Sequence, residues 1–261
     1  MLYLLSPAKS LDYDTPTPRA VAELATDPLF VERSTELIAL MRRRSAVEVA
    51  RLMDLSQALA TLNVERYAAW SPNFTPTNSK PAALAFDGDV YGGLRARELS
   101  LADWRWSQKH VAILSGLHGV LRPLDRLQPY RLEMGTRLPN PHGKDLYAYW
   151  GDTIARHLNE RAAADASPVI VNLASNEYFH AADRRSVLLP RVIECVFEDW
   201  KNGQYKLISF FAKRARGLMA RHAITQRIAT PAGLKKFDAE GYRFDAAVSK
   251  RDRLVFRRRV D

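Results

Sequence analysis

The chain opens on Leu2-Tyr-Leu-Leu5, an unbroken apolar run that stops at Ser6-Pro7. Such a run reads as a short buried strand over residues 1–5 that delivers the polar turn Ser6-Pro7-Ala8-Lys9. From about residue 27 to 70 the apolar positions Leu37, Leu40 and Met41, then Val47, Val49, Leu52 and Met53, then Leu59, Leu62, Val64 and Tyr67 recur at helical spacing, which predicts two or three packed helices. Residues 71–79, rich in Ser, Pro, Asn and Thr, read as a surface loop. Short apolar runs at 82–86, 111–114 and 169–173 read as buried strands feeding loops, and 146–163 reads as a helix. Asn202-Gly203, between apolar runs at 192–197 and 205–209, is a hairpin signal because both turn residues tolerate φ > 0. A helix over 209–221 follows, and 242–244 against 254–256 predicts a last hairpin.

Together these elements predict a mixed α/β fold: a single compact domain over residues 1–261, with a mixed sheet surrounded by helices. Whether its central strands run parallel is open at this stage. In such sheets, binding and catalytic groups collect in the loops at strand ends.

Composition narrows the partners. With 261 residues, 47% of them hydrophobic, the chain can build one large core or two small ones, and one is favoured. A formal net charge of +10 favours an acidic partner. Cys195 is the one cysteine, so no internal disulfide and no thiolate cluster forms within a chain, which fits a reducing cytoplasm. The first residues lack the basic start and apolar length of a secretory signal, and no run approaches the ~18 apolar residues of a membrane span. A soluble, cytoplasmic protein without membrane association is expected.

Three regions carry candidate chemistry. Residues 114–135 hold three glycines, two prolines and three arginines between apolar positions. Gly116 and Gly119 would let main-chain amides approach an anion, and Arg122, Arg126 and Arg131 would supply planar donors for phosphate oxygens. Leu114, Leu117, Val120 and Leu121 around these glycines invite comparison with a helix-hairpin-helix, although the glycines stand three apart rather than two. The plainer alternative is a tight turn that needs glycine only for its backbone. The second region is the helix after Ser209. Lys213, Arg214, Arg216 and Arg221 share one face with Gly217 and Ala220, opposite an apolar face, and no acid lies between Lys206 and Arg227. Small residues would let a phosphate come close; the alternative is a helix whose charges are met by acids from elsewhere. Third, Ser6-Pro-Ala-Lys9 and Asn172-Leu-Ala-Ser-Asn-Glu-Tyr178 are both strand-end loops with ionisable groups. Lys9, Ser175, Glu177 and Tyr178 could form a catalytic cleft for a nucleobase or nucleotide, with Asp87-Gly-Asp89 as a third loop. Helix capping by Ser175 and a surface Lys9 are the simpler alternatives.

Other classes lack support. The six histidines have no paired spacing, and P-loop, dinucleotide and nucleophile-elbow signatures are absent, so neither a metal nor a cofactor is expected. Trp104, Trp106 and Tyr130 could stack on bases, though core packing is the commoner use.

The chain resembles the YaaA family of bacterial peroxide-stress proteins, also called DUF328 or UPF0246. Ser6-Pro-Ala-Lys9, Ala85-Phe-Asp-Gly-Asp-Val-Tyr91, the block at 114–135, Trp150-Gly-Asp152, Glu177-Tyr-Phe179, Lys201-Asn-Gly203 and Ala212-Lys-Arg-Ala-Arg-Gly-Leu-Met219 carry the resemblance in order along nearly the whole chain. It implies a cytoplasmic protein of cantaloupe-like fold with a helix-hairpin-helix-like element. Such a protein binds DNA, duplex or branched, through a basic cleft with little sequence specificity, and serves the response to hydrogen peroxide by limiting free iron and DNA damage. The expected contacts are Lys9, Gly116, Gly119, Arg122, Arg126, Arg131, Lys213, Arg214, Arg216 and Arg221, on a monomer with no established catalytic activity. Three positions depart from the pattern: His118 and Phe211, where Tyr is expected, and His180, where Lys is expected.

Overall fold

A computed structural model describes residues 1–163, 168–184 and 186–259. An eight-stranded mixed sheet runs through it in the spatial order Arg243–Phe244, Arg253–Arg258, Arg191–Lys201, Val169–Asn172, Leu2–Leu5, Val111–Ser115, Gly119–Leu121, with Gln204–Lys206 as a further partner of Arg191–Lys201. The five central strands, from Arg253–Arg258 to Val111–Ser115, are mutually parallel; Tyr3, for example, pairs with Val111 on one side and Val171 on the other. Antiparallel pairing is confined to the short strands. All residues of Leu2–Leu5, Val111–Ser115 and Val169–Asn172 are buried, which is why they read as unbroken apolar runs: helices cover both faces of a parallel sheet. Arg191–Lys201 is long enough to serve two partners besides Arg253–Arg258, pairing with Val169–Asn172 near its start and with Gln204–Lys206 at its end. Asn202 (φ 54°) and Gly203 (φ 79°) make the expected turn between those last two strands.

Helices Val31–Arg42, Ala46–Met53 and Gln57–Ala69 fill the first helical region. Ser45 caps the second of them in a capping box with Glu48, and Ser56 caps the third through the Leu59 amide. Helix Ser209–Thr225 outruns its expected end by one turn. Two expectations change. Residues 82–85 are a buried helical turn, Ala82–Ala85, rather than a strand: three alanines and a leucine with no β-branched residue favour helix, and Pro81 sits at its start. The helix expected over 146–163 is broken at Gly151 (φ 48°) into Leu146–Trp150 and Thr153–Ala162.

The glycine-rich block is not a helix-hairpin-helix. Residues 111–121 form a β-hairpin in which Ile113 faces Leu121 and Ser115 faces Gly119. Gly119 takes φ 64°, and a Cβ there would stand 2.7 Å from the Trp150 ring. At Gly116 a Cβ would collide with the carbonyl oxygen of Leu132. Both glycines are buried and their lack of a side chain serves chain packing. Pro123 lies in the following turn, closed by the Asp125 amide on the Arg122 carbonyl at 3.0 Å, rather than opening a helix. The compact pair of helices joined by a short turn falls instead at Ala46–Met53 and Gln57–Ala69, with Asp54 (φ 52°) at the junction.

Candidate functional site

The loops at the C-terminal ends of the parallel strands meet in a cleft of about 440 Å³ lined by residues 6–10, 87–90, Glu133, Ser175, Glu177, Tyr178, Lys213 and Arg216. Its two deepest loops are tied together. Ser6 Oγ accepts the Ser175 amide at 2.9 Å and lies 3.3 Å from Ser175 Oγ, so the strand-end loops after Leu5 and Asn172 share one strut. Ser175 does stand at the start of helical turn Asn176–Phe179, but its side chain does not cap it. Asn172 holds the loop from within by accepting the Ala174 amide at 2.9 Å.

Glu133 organises the cationic wall. Its Oε2 meets Lys9 Nζ at 2.7 Å and its Oε1 meets Arg131 Nη2 at 3.0 Å. Arg131 is thereby turned behind Glu133, with 16% of its side chain exposed, while Lys9 keeps 64%. Glu177 lines the cleft, and its Oε1 accepts the Gly135 amide at 2.9 Å. The Tyr178 hydroxyl is held in its neutral, donating form: burial raises it well above the ordinary tyrosine value, and nearby Tyr130, Glu177 and Glu133 add to the shift. Arg216 is pushed down by burial, with Glu194 and Cys195 opposing the change, and stays charged at neutral pH. Lys213 is exposed and makes no ion pair among the described residues.

Of the catalytic candidates, Lys9, Ser175, Glu177 and Tyr178 all reach this cleft. The expected DNA contacts do not gather there as a group. Arg122 and Arg126 lie at the opposite end of the sheet, where Arg122 clasps buried Asp125 at 2.8 Å and Arg126 meets Asp27 at 2.9 Å. Arg214 makes a bidentate pair with Glu240 and a contact to the Gly92 carbonyl. Arg221 bonds the carbonyls of Leu94 and Arg95 and pairs with Glu98 at 3.1 Å. Acids from other elements thus meet half of the basic face. The small residues on that face pack helices: a Cβ on Gly217 would collide with the Val90 carbonyl, and one on Gly93 with the Arg214 carbonyl. Trp104 and Tyr130 are buried, and Trp106 stacks on His110 at 4.2 Å between ring centroids. His118 is fully buried with Nδ1 3.0 Å from Ser34 Oγ, and His180 is exposed beside Tyr147.

Counting charges in the lining decides what the cleft can take. Three cations, Lys9, Lys213 and Arg216, face four carboxylates, Asp87, Asp89, Glu133 and Glu177. A track for a bare phosphate backbone would not carry that many acids, whereas a polar edge with both donors and acceptors suits it. Among the described residues, no three His, Cys, Asp or Glu side chains are grouped so as to hold a metal ion.

Beyond Gly135 the wall becomes basic. Arg44, Arg51 and Arg137 line a shallow groove of about 580 Å³ with Glu48, Leu52, Gly135 and Thr136. Glu48 is engaged by Ser45 and feels Arg44 and Arg51 nearby, and among the described residues the three guanidinium groups make no ion pair. Sequence reasoning overlooked these arginines, as it did Glu133 and Ser6. The run Arg42-Arg43-Arg44 with Arg51 seven positions on was the available signal for the groove. Glu133 was screened by the arginines around it.

These features define an α/β protein whose polar and ionisable groups converge at the C-terminal ends of a parallel sheet. The chain belongs to the family described as peroxide stress protein YaaA, whose model matches residues 1–248. It is 64% identical over 258 residues to a UPF0246 protein of Leptothrix cholodnii, covering 99% of this chain and 98% of that one. A UPF0246 protein of Bordetella petrii is 62% identical over 260 residues, with both chains covered in full. Among the described residues, no helix is long and apolar enough to cross a membrane.

Proposed function

We propose that the protein binds DNA in the cytoplasmic response to hydrogen peroxide by taking one unstacked nucleotide into the cleft while the adjoining arginine groove holds the neighbouring phosphates. The observation that carries this reading is the continuity of the two surfaces. Residues 133–137 supply Glu133 to the cleft and Gly135, Thr136 and Arg137 to the groove. A cleft of about 440 Å³ with Ser175, Glu177, Tyr178 and Lys213 offers donors and acceptors for a base edge. Arg44, Arg51 and Arg137 offer planar donors for phosphate oxygens. Damaged or mispaired bases leave the stack at least cost, so this arrangement favours lesion-bearing DNA over perfect duplex. The link of the family resemblance to free iron is then indirect, through protection of DNA.

The test is a binding titration comparing a perfect duplex with one that carries a single unpaired base. The unpaired base tightens binding, and Arg44→Ala, Arg51→Ala and Arg137→Ala each weaken it for both DNAs. Log K falls with log salt with a slope of roughly −3 to −4.5, from three to five neutralised phosphates. Equal affinity for both duplexes, or a flat salt dependence, overturns the reading.

A second reading, catalysis on the bound nucleobase or nucleotide, is favoured by the Lys9–Glu133 contact at 2.7 Å beside Glu177 and Tyr178. Lys9→Ala and Glu177→Ala separate the two: turnover lost in both variants with binding largely kept marks an enzyme.

A further inference from the structure

The opposite end of the sheet holds a second cavity of about 450 Å³, where the chain enters strand Leu2–Leu5 and helix Leu101–His110 hands over to Val111–Ser115. Its polar lining is Gln108, Lys109, His110, Arg122, His157 and Arg161, and none of the described lining residues carries a carboxylate. His157 and Arg161 stand one turn apart on helix Thr153–Ala162, so both project to the same side. Each keeps an unused group: His157 Nε2 and Arg161 Nη1 are buried without a hydrogen-bond partner. Arg161 is anchored through its other terminal nitrogen, which donates to the carbonyls of Gln108, Lys109 and Val111 at 3.1, 3.0 and 3.2 Å. Arg122 is anchored by Asp125, which lies behind it and outside the lining. Two guanidinium groups held in place by other bonds, an exposed lysine and a histidine with a spare nitrogen form a preorganised cationic pocket. A ligand that satisfies such buried, unpaired polar groups is favoured.

We propose that this cavity is a second binding site, distinct from the cleft, for a phosphate monoester whose phosphate meets Arg161, Arg122, His157 and Lys109. The volume exceeds that of a phosphate group, and Leu2 and Leu29 supply an apolar wall for a compact organic part. Arg122 already meets Asp125 and His157 Nδ1 stands 3.9 Å from Glu160, whereas Lys109 and Arg161 make no ion pair among the described residues, and their charge selects a dianion over a neutral nucleoside.

The experiment is an amide and imidazole NMR titration of the full chain with inorganic phosphate, adenosine monophosphate and adenosine in separate arms. Phosphate and the monophosphate shift the resonances of residues 108–110 and 157–161, the monophosphate more tightly, and adenosine does not. Lys109→Glu, at an exposed position that leaves the fold intact, and His157→Gln each weaken monophosphate binding by about tenfold. If phosphate and monophosphate leave these resonances unmoved, or both variants bind as the wild type does, the site does not exist. If a DNA duplex moves them and the small phosphates do not, the proposal is equally overturned.

Discussion

Lys213 and Arg214 are neighbours on one helix, yet only one of them is available to a ligand. Arg214 is fixed to Glu240 on two nitrogens, whereas Lys213 lines the cleft and makes no ion pair among the described residues. Arg214→Ala should therefore lower stability slightly, by about 1 kcal/mol or less because the pair is half-exposed, and leave DNA affinity unchanged. Lys213→Ala should leave the melting temperature within error and weaken discrimination between intact and unpaired-base duplexes. Parallel melting and binding curves check both. A second consequence at this scale concerns His118. Burial holds its imidazole down to about 3 against an ordinary value of 6.5. The unfolded chain takes up a proton near 6.5 while the folded chain refuses it, so this contribution is complete above that value and is lost as pH falls toward 3. Between pH 7 and pH 5 the chain should lose about 2 kcal/mol from His118. His157, held down by burial and by Arg161 and Arg122 to about 4, adds to the loss in the same direction. Denaturant titrations at the two pH values measure it, and His118→Phe should flatten the profile.

At the scale of elements, the helix bearing Lys213 and Arg216 is positioned by main chain against main chain. Gly93 and Gly217 let Asp89–Leu94 and Ser209–Thr225 approach until carbonyls fill the space of side chains. Gly217→Ala should force these helices apart, costing about 2 kcal/mol or more, and should loosen the cleft together with the fold. A drop in denaturation midpoint accompanied by weaker DNA binding is the expected pair of observations. The strands were legible because burial on both faces demands unbroken apolar runs, as in Leu2–Leu5 and Val169–Asn172. The hairpin at Asn202-Gly203 was legible because its turn requires φ > 0 at two positions. Gly116 and Gly119 misled for a related reason: glycine marks any close approach, and sequence does not say whether a ligand, a carbonyl or a Trp150 ring is approaching. The basic helix misled likewise, since Glu98 and Glu240, far from it in sequence, pair with its arginines. Loops Ser6–Lys9 and 172–178 meet in one cleft because parallel strands must bring their ends to one side of the sheet.

Across the whole molecule, the excess of ten positive charges does not form one patch. Much of the basic side-chain complement is consumed within the fold: Arg42 caps carbonyls near residue 70, Lys80 is buried against residues 12–15, and Arg258 is buried against Asp199. Of what is left, Arg44, Arg51 and Arg137 gather in the groove beside the cleft, and Lys109, Arg122 and Arg161 in the cavity at the other end of the sheet. Salt should accordingly weaken DNA binding through few contacts, with a slope shallower than net charge alone would imply, and Arg137→Ala should reduce that slope by about one.

The strut from Ser6 to Ser175 has a kinetic consequence. Because it joins two loops that each continue a central strand, the floor of the cleft moves with the sheet and has no independent hinge. A ligand then arrives at a finished surface: association is governed by encounter and charge steering, and residence time carries the differences between ligands. Stopped-flow traces should show one concentration-dependent phase with no slower step behind it, and Ser6→Ala should introduce that step.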